Sequence, residues 1–179
     1  MGVLSVLNRL RAECVRKGPN FMRYPLSFTP FAVKKHVLQQ VLCWQFSHAL
    51  AEGELDFLEG RWLGIDITDL GLCWRMTVRE GRIELADGTH ADAWFRGQAN
   101  DLLLIAARRQ DPDTLFFQRR LIIEGDTELG LEVKNLMDAI ELETLPAPLR
   151  IGLLKLASFV EAGLNEDANS SLDCAGKLC

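Results

Sequence analysis

The chain has 179 residues, of which 48% are hydrophobic, and a formal net charge of -5. This size and composition predict one globular domain that buries a full core without disulfides or a structural metal. The five cysteines are odd in number, scattered and without C-x-x-C or Cys/His ligand spacing, so we expect reduced thiols and no metal or other cofactor. No stretch has the roughly 20 apolar residues of a membrane span, and the first residues lack a signal-peptide run. We therefore expect a soluble, cytoplasmic protein.

The charge is distributed unevenly along the chain. Residues 1–36 hold seven bases and one acid, for a charge of +6, whereas the remaining 13 bases and 24 acids give -11. The negative total argues against nucleic acid as a partner. The basic arm contains Arg9, Arg11, Arg16 and Lys17, which either meet a membrane or partner surface or form a solvated helix face. The sequence leaves both readings open.

An amphipathic helix is predicted at the N-terminus. Apolar residues recur at i, i+4, i+7 and i+11 over residues 3–16, and the arginines lie off this stripe. Gly18 and Pro19 are expected to end the helix, and residues 21–28 to form an aromatic linker.

A second helix is predicted to follow the linker. Thr29 and Pro30 supply its N-cap and first helical residue, and it should run to about Ala51. We expect His48 to be a hydrogen-bonded histidine at the edge of the core rather than a ligand or a base. The predicted buried side of this helix is formed by Val37, Leu38, Val41, Leu42, Trp44, Gln45 and Ala49.

The period of the apolar residues then drops to two, which predicts four short strands. Gly53 closes the preceding helix, and turns at residues 69–71, 79–82 and 87–88 separate the strands. Short consecutive strands joined by such turns predict an antiparallel meander. The apolar residues that mark one side of each strand are Leu63, Ile65 and Ile67, then Leu72, Trp74, Met76 and Val78, then Ile83 and Leu85, then Ala91, Ala93 and Phe95.

A helix capped by Asn100 leads to a fifth strand and a long helix. Residues 115–123 read as a short helix or loop that runs into a buried strand, and Asp126 is the expected N-cap of the next helix. Gly125 and Gly130 form a G-x-x-x-x-G sequence, but no lysine follows and acids surround it, so we do not expect a phosphate-binding loop. The apolar stripe of the long helix is Leu129, Val133, Leu136, Met137 and Ile140.

The chain is predicted to end in a helix and a disordered tail. The final helix carries the stripe Leu149, Leu153, Leu156, Ala157, Val160 and Leu164, and further apolar residues lie off it. The polar composition of residues 165–179 predicts disorder. Three regions are thus expected: a basic N-terminal helix and linker over residues 1–28, a folded domain over residues 29–164, and the tail over residues 165–179.

Enzyme motifs are absent from the sequence. There is no Ser-centred elbow, no H-E-x-x-H and no dinucleotide fingerprint. Asp111, Asp113, Glu124 and Asp126 are the best acid/base candidates, but each has an expected structural role as a turn former, edge residue or cap. The pairs Arg108–Arg109 and Arg119–Arg120 either grip a headgroup or carboxylate or form solvated faces. We therefore expect no catalytic residues.

Once these roles are assigned, the sequence still has an excess of apolar residues. A small five-stranded sheet with helices on one side can enclose an apolar cavity or a solid core, and the sequence does not distinguish the two. If a cavity is present, its lipid-binding lining is predicted to be Trp74, Met76, Phe116, Phe117, Leu121, Ile123, Leu129, Val133, Leu136, Met137, Ile140, Leu153, Leu156 and Phe159.

Three stretches carry a resemblance to a known family. They are VLQQVLCWQF at residues 37–46, GELDFLEGRWLGI at residues 53–65 and IAARRQDPDTLFFQRRLIIEGDTELGLEVKNLMDAIELE at residues 105–143. The chain, over roughly residues 25–163, resembles sterol-carrier-protein-2-like lipid-binding domains, and among them the bacterial accessory factors of ubiquinone biosynthesis. The resemblance implies an α+β fold, a mainly antiparallel five-stranded sheet covered by helices around an apolar tunnel, and no catalysis.

The resemblance also implies ligands and partners. The expected ligands are isoprenoid quinone precursors or phospholipid, and the expected pathway is the oxygen-independent branch of ubiquinone biosynthesis, with the iron-sulfur hydroxylation proteins UbiU and UbiV as partners. Transient contact with the inner membrane and a homodimer are left open. The alternative to a lipid carrier is a docking scaffold for proteins or membrane with a filled core. An enzyme is the least supported reading.

Overall fold

The computed structural model describes residues 10, 11, 13–15, 17–19, 21, 23, 30–139, 142 and 145–175. Its helices are α1 (Phe31–Gln45), α2 (Ser47–Ala51), a 3-10 helix (Asp56–Leu58), α3 (Ala99–Ala106), α4 (Pro112–Phe117), α5 (Thr127–Ala139) and α6 (Ala147–Ala175). Its strands are β1 (Leu63–Ile67), β2 (Leu72–Arg79), β3 (Arg82–Ala86), β4 (Ala93–Gly97) and β5 (Leu121–Gly125). No helix among these described residues is long and apolar enough to cross a membrane.

The five strands form one sheet in the order β3-β2-β1-β4-β5. Every neighbouring pair is antiparallel except β1 and β4, which are parallel. The α+β class and the mainly antiparallel sheet are therefore confirmed, but the prediction of a four-strand meander is wrong because β4 pairs with β1 and not with β3. Two hydrogen bonds fix this start of β4: the Trp62 amide donates to the Asp92 carboxylate at 2.6 Å, and the Asp92 amide donates to the Trp62 carbonyl at 2.8 Å.

The two faces of the sheet differ in character. The core face carries the buried side chains of Leu63, Met76, Ile83, Leu85 and Phe95, which alternate along their strands as predicted. On the outer face the Trp94 ring lies over Gly64, so close that a Cβ at residue 64 would come within 2.3 Å of the ring. Glycine at this position is therefore what allows the indole to lie flat on the sheet. Helices α1 and α5 pack on the core side.

Helix α5 begins as the sequence predicts. The Asp126 carboxylate accepts hydrogen bonds from the amides of Glu128 and Leu129 at 2.9 and 3.2 Å, which satisfies two free donors of the first turn. The stripe residues Leu129 and Val133 are buried against the sheet. Gly125 has a φ of +102°, and a Cβ there would come within 2.2 Å of the Asp92 carbonyl oxygen. Only glycine fits this turn between β5 and α5.

Helix α1 departs from the prediction in three respects. Pro30 is its N-cap rather than its first helical residue, and the helix is interrupted at Phe46 before α2 begins. Val41 and Trp44, which we expected on the buried side, are 38% and 49% exposed. The helix has apolar residues on two sides, and the side carrying Leu38 and Leu42 is the one that packs on the core. The Val37 side chain lies outside the described residues.

Two further expectations for the first half of the chain are wrong. His48 does not lie at the core edge: its side chain is exposed and pairs with Glu52 at 3.4 Å, one helical turn away. Gly18 and Pro19 do not end the N-terminal helix, since both are helical, as are Phe21 and Arg23 in the predicted linker. A proline inside a helix removes one hydrogen bond and crowds the carbonyl four residues earlier, but the result can be a kink rather than an end, so helical residues can follow it.

Helix α3 is capped by a residue distant in sequence. The predicted cap Asn100 lies inside the helix and donates from its side-chain amide to the Val15 carbonyl at 3.0 Å. The Ala99 amide instead donates to the Asp69 carboxylate at 2.9 Å, from the turn after β1. A cap supplied from another element cannot be seen in the local sequence.

A second apolar cluster lies apart from the main core. It brings helix α3 against helix α6 and the N-terminal helical residues, and its buried members are Val15, Leu104, Ala107, Ala157 and Val160. Helix α6 extends to Ala175, so the backbone of residues 165–175 is helical where the sequence predicted disorder. Extending an existing helix avoids the cost of nucleation, which explains why polar composition does not end it. Residues 176–179 lie outside the described residues.

Candidate functional site

The apolar layer between the sheet and helices α1 and α5 is the candidate ligand site. Eight residues of the predicted lining lie in or against this layer. Met76, Leu121, Leu129 and Val133 are buried members of the main core, and Trp74, Ile123, Leu136 and Met137 pack against it while partly exposed. The sheet and helix α5 supply these eight side chains, and Leu38 and Leu42 of helix α1 pack against the same layer. Their role as a lipid-binding lining stays a prediction.

The remaining predicted lining residues lie elsewhere. Phe116 and Phe117 line an open groove at the edge of the sheet. Leu153 packs against the second cluster, while Leu156 and Phe159 on helix α6 are exposed. Ile140 is outside the described residues. A stripe at helical spacing shows that one side of a helix is apolar, but it does not show which cluster that side joins.

A small cavity of about 30 Å³ lies within the layer, at the end where helix α1 crosses the sheet. Trp74 lines it, and the indole Nε1 is buried without a hydrogen-bond partner among the residues that the structure describes. A buried donor left unpaired is costly and is more often satisfied in native proteins. The other lining residues are Lys34, Lys35, Leu38, Leu72, Cys73 and Leu85.

Sequence reasoning missed part of the layer. Leu55 and Leu58, on or beside the 3-10 helix, are fully buried, and Phe57 packs beside them. The signal was a group of apolar residues between Gly53 and Gly60, too short to show a period. Helix α1 residues Leu38 and Leu42 were predicted to be buried but were not assigned to the site.

The four acid/base candidates have the structural roles expected of them. Asp111 caps α4 by accepting from the Thr114 amide at 2.9 Å, and Asp126 caps α5. Lys134 pairs with Asp113 at 2.7 Å, and Glu124 pairs with Arg96 across the outer face of the sheet. All four carboxylates are thus engaged in capping or ion pairs.

Both arginine pairs sit at the same place in their helices. Arg108 and Arg119 each adopt a left-handed backbone, with φ of 53° and 59°, directly after the C-caps of α3 and α4. The amides of Arg119 and Arg120 donate to the carbonyls of Phe116 and Leu115 at 3.0 and 2.9 Å, which is the Schellman closure of a helix. The pairs are therefore helix ends, and Arg120 is further bound to the buried Asp101.

The basic arm is described only in part. Lys17 forms an ion pair with Glu13 at 3.3 Å within the same helix, and Arg11 has an interaction partner as well. Arg9 and Arg16 lie outside the described residues. The membrane or partner surface predicted for these four residues stays a prediction.

Two further kinds of chemistry could involve the described residues: a reactive cysteine at Cys73 and a metal site. Burial raises the pKa of the Cys73 thiol above its ordinary value of 9.0, Asp66 raises it further, and Arg96 opposes them. The thiol is therefore held in its weakly nucleophilic protonated form at neutral pH. No group of three or more His, Cys, Asp or Glu side chains in the described part of the chain could hold a metal ion.

One sheet with helices over one face, and with an apolar layer between them, defines an α+β domain of the sterol-carrier type. The chain belongs to the SCP-2 sterol transfer family, whose model matches residues 40–138. This family and the resemblance predicted from the sequence agree.

Relatives and a solved structure support the same assignment. Two proteins named ubiquinone biosynthesis accessory factor UbiT, from Escherichia coli strain K12 and Escherichia coli O157:H7, are each 55% identical over 174 residues, covering 97% of this chain and 100% of the relative. A solved structure titled UbiJ-SCP2 ubiquinone synthesis protein aligns with a TM-score of 0.51 and 17% identity, covering 63% of this chain and 100% of that one. At this identity the structural match supports the fold alone.

Proposed function

We propose that this protein is a non-catalytic accessory factor of ubiquinone biosynthesis that binds a lipid against the core face of its sheet. The observation that carries the proposal is the 55% identity, over essentially the whole chain, to proteins named ubiquinone biosynthesis accessory factor UbiT. The ligand class that we propose is an isoprenoid quinone intermediate or a phospholipid. The proposed pathway is the oxygen-independent branch of ubiquinone biosynthesis, and the proposed partners are UbiU and UbiV.

The geometry of the apolar layer supports a ligand beneath helix α1. No described side chain of α1 is fully buried, and the helix covers the cavity that the Trp74 indole faces. A cavity of about 30 Å³ holds little more than a water molecule, so a lipid requires α1 to move outward. The unpaired indole N–H would then be available to an oxygen of the ligand headgroup.

The proposal is tested first by native mass spectrometry with solvent extraction, on protein purified from its own host. A stoichiometric isoprenoid or phospholipid that is released only on unfolding is the expected result. Protein that is free of ligand, with or without prior unfolding, would contradict it.

A matched pair of variants tests the location. Met137 is partly buried against the core, whereas Leu131 on the same helix is 57% exposed. Because a charge in an apolar site repels a lipid tail, Met137→Asp should abolish lipid retention, and Leu131→Asp should retain it. Circular dichroism checks that both variants fold. Equal retention by the two variants would place the lipid elsewhere.

A docking scaffold with a filled core is the second candidate function. It is favoured by the outer side of helix α1, where Val33, Val41 and Trp44 are exposed at helical spacing. Under this alternative, Met137→Asp leaves binding to UbiU and UbiV intact, and Trp44→Ser weakens it.

A further inference from the structure

The free edge of β5 carries an apolar groove. β5 is the last strand in the sheet order, and within the described part of the chain only β4 pairs with it. A groove of about 410 Å³ is lined by β5 residues 121–123 together with Phe116, Phe117 and Arg119. Successive side chains of a strand point to opposite faces, so a groove lined by three of them runs along the strand edge. Alternate backbone N–H and C=O groups face outward along such an edge.

Three large apolar side chains are exposed around this groove. Phe117 is 81% exposed, and Phe116 and Ile122 are each 44% exposed. The two phenylalanine rings pack edge to face, with centroids 5.9 Å apart. A lipid tail could cover these side chains, but it cannot pair with the backbone groups of the edge, whereas an added strand does both. The groove therefore fits an extended peptide segment.

The charges along β5 identify the segment that fits. Residues two apart share a face of a strand, so Ile122 and Glu124 share the outer face of β5, and Arg120, which directly precedes the strand, continues the same series. Arg120 leads this series and Glu124 ends it, which makes the order of charges self-complementary when a second copy runs antiparallel. With Ile122 opposite Ile122 of the partner subunit, Arg120 lies opposite Glu124 of the partner subunit, and the reverse pair forms by symmetry.

We propose that this protein forms a two-fold symmetric dimer by antiparallel pairing of its β5 edges. Ile122 lies at the symmetry axis, and an Arg120–Glu124 pair forms on each side. In each subunit Arg120 is already bound to Asp101, and Glu124 to Arg96, which also lies 3.6 Å from Asp66. The dimer joins these two ion-pair networks across the interface and buries Phe116 and Phe117 of both copies.

Sedimentation equilibrium on the full chain tests the surface. Lysine on an edge strand opposes pairing, and each residue of a two-fold interface occurs twice, so Ile122→Lys should raise the dimer dissociation constant about a hundredfold. The control is Leu131→Lys, which places the same charge on an exposed leucine of helix α5 and should leave the constant unchanged. A parent chain that stays monomeric overturns the proposal and leaves this edge to a strand from a different protein. A dimer that Ile122→Lys leaves intact overturns it as well.

A second variant tests the register. Glu124→Lys would face Arg120 of the partner subunit with a like charge, so the dissociation constant should rise about tenfold. Circular dichroism checks that the loss of the Arg96 pair within the subunit leaves the fold intact. If the Glu124→Lys variant dimerises as tightly as the parent chain, the proposed pairing of Arg120 with Glu124 is refuted.

Discussion

Helices α5 and α1 cover the same face of the sheet but are held to it differently. Helix α5 has Leu129 fully buried and Val133 at 5% exposure, an aspartate cap at its first turn, and a lysine bound to Asp113 of helix α4 at 2.7 Å. The buried side chains fix the helix to the core, the lysine fixes it to α4, and the cap satisfies the donors of its first turn. The α5 side of the apolar layer is therefore a rigid half.

No described side chain of helix α1 is fully buried, although Lys34 and Gln45 each have an interaction partner. Its N-cap is Pro30, which makes no side-chain cap, and its apolar contacts with the core are all made by partly exposed residues. A hydrogen bond from the Gln39 side-chain amide to the Ile83 carbonyl, at 3.0 Å, ties it to β3. Regions with few buried contacts open at a lower free energy than the global unfolding. Under the proposed function, we therefore expect the ligand to enter beneath α1 while α5 keeps the fold.

The largest expected effect compares one leucine from each helix. Leu129→Ala removes a fully buried side chain, so we expect the free energy of unfolding to fall by about 3 kcal/mol. Leu42→Ala in helix α1 removes a partly exposed side chain and should cost about 1 kcal/mol. Urea denaturation of lipid-free protein measures both. Equal losses would mean that α1 is packed as firmly as α5, and the comparison would fail.

A smaller effect is expected from giving α1 the cap that it lacks. Pro30 has an extended backbone with φ of -55° and ψ of 142°, which an aspartate N-cap can adopt. Pro30→Asp should therefore stabilise the helix by about 0.5 kcal/mol and slow the release of bound lipid to acceptor vesicles. Pro30→Ala, which removes proline without adding a cap, is the control. Faster release from Pro30→Asp than from this control would contradict a role of α1 as the movable half.

The sequence predicts local features of this fold better than it predicts partners across the fold. The strands and the Asp126 cap were recoverable because each depends on a few neighbouring residues. The pairing of β4 with β1 was not, since it rests on hydrogen bonds between Trp62 and Asp92, thirty residues apart. Local patterns specify an element without specifying its neighbour.

The candidate site shows the same limit. Helix α1 has apolar residues at helical spacing on two sides, and the spacing does not tell which side meets the sheet. Phe116 and Phe117 are large apolar residues of the kind that usually lie in a core, yet they are exposed at the edge of β5. The stripe of helix α5 is clearer: Leu129, Val133 and Leu136 lie in or against the layer, and acidic residues such as Glu128 and Glu132 are exposed.

The smallest expected effect concerns the link between α5 and α4. The hydrogen bond to Asp113 raises the pKa of Lys134 above its ordinary value of 10.5. Because the folded pKa lies above the unfolded one, the stabilisation is fully present below pH 10.5 and is lost as the pH rises through the folded pKa. Lys134→Met should therefore lower the urea midpoint near neutral pH, and the parent should converge on this variant in strong alkali.

Lys155→Met, on helix α6, controls for the general loss of a positive charge. If the urea midpoint of Lys134→Met stays below that of the parent by the same amount across the alkaline range, the ion pair does not hold α5. If the deficit disappears at high pH while the lipid release rate stays that of the parent at neutral pH, then α5 has been loosened without opening the site. That outcome would assign the opening to α1, because the rigid half would have lost an attachment with no effect on the ligand.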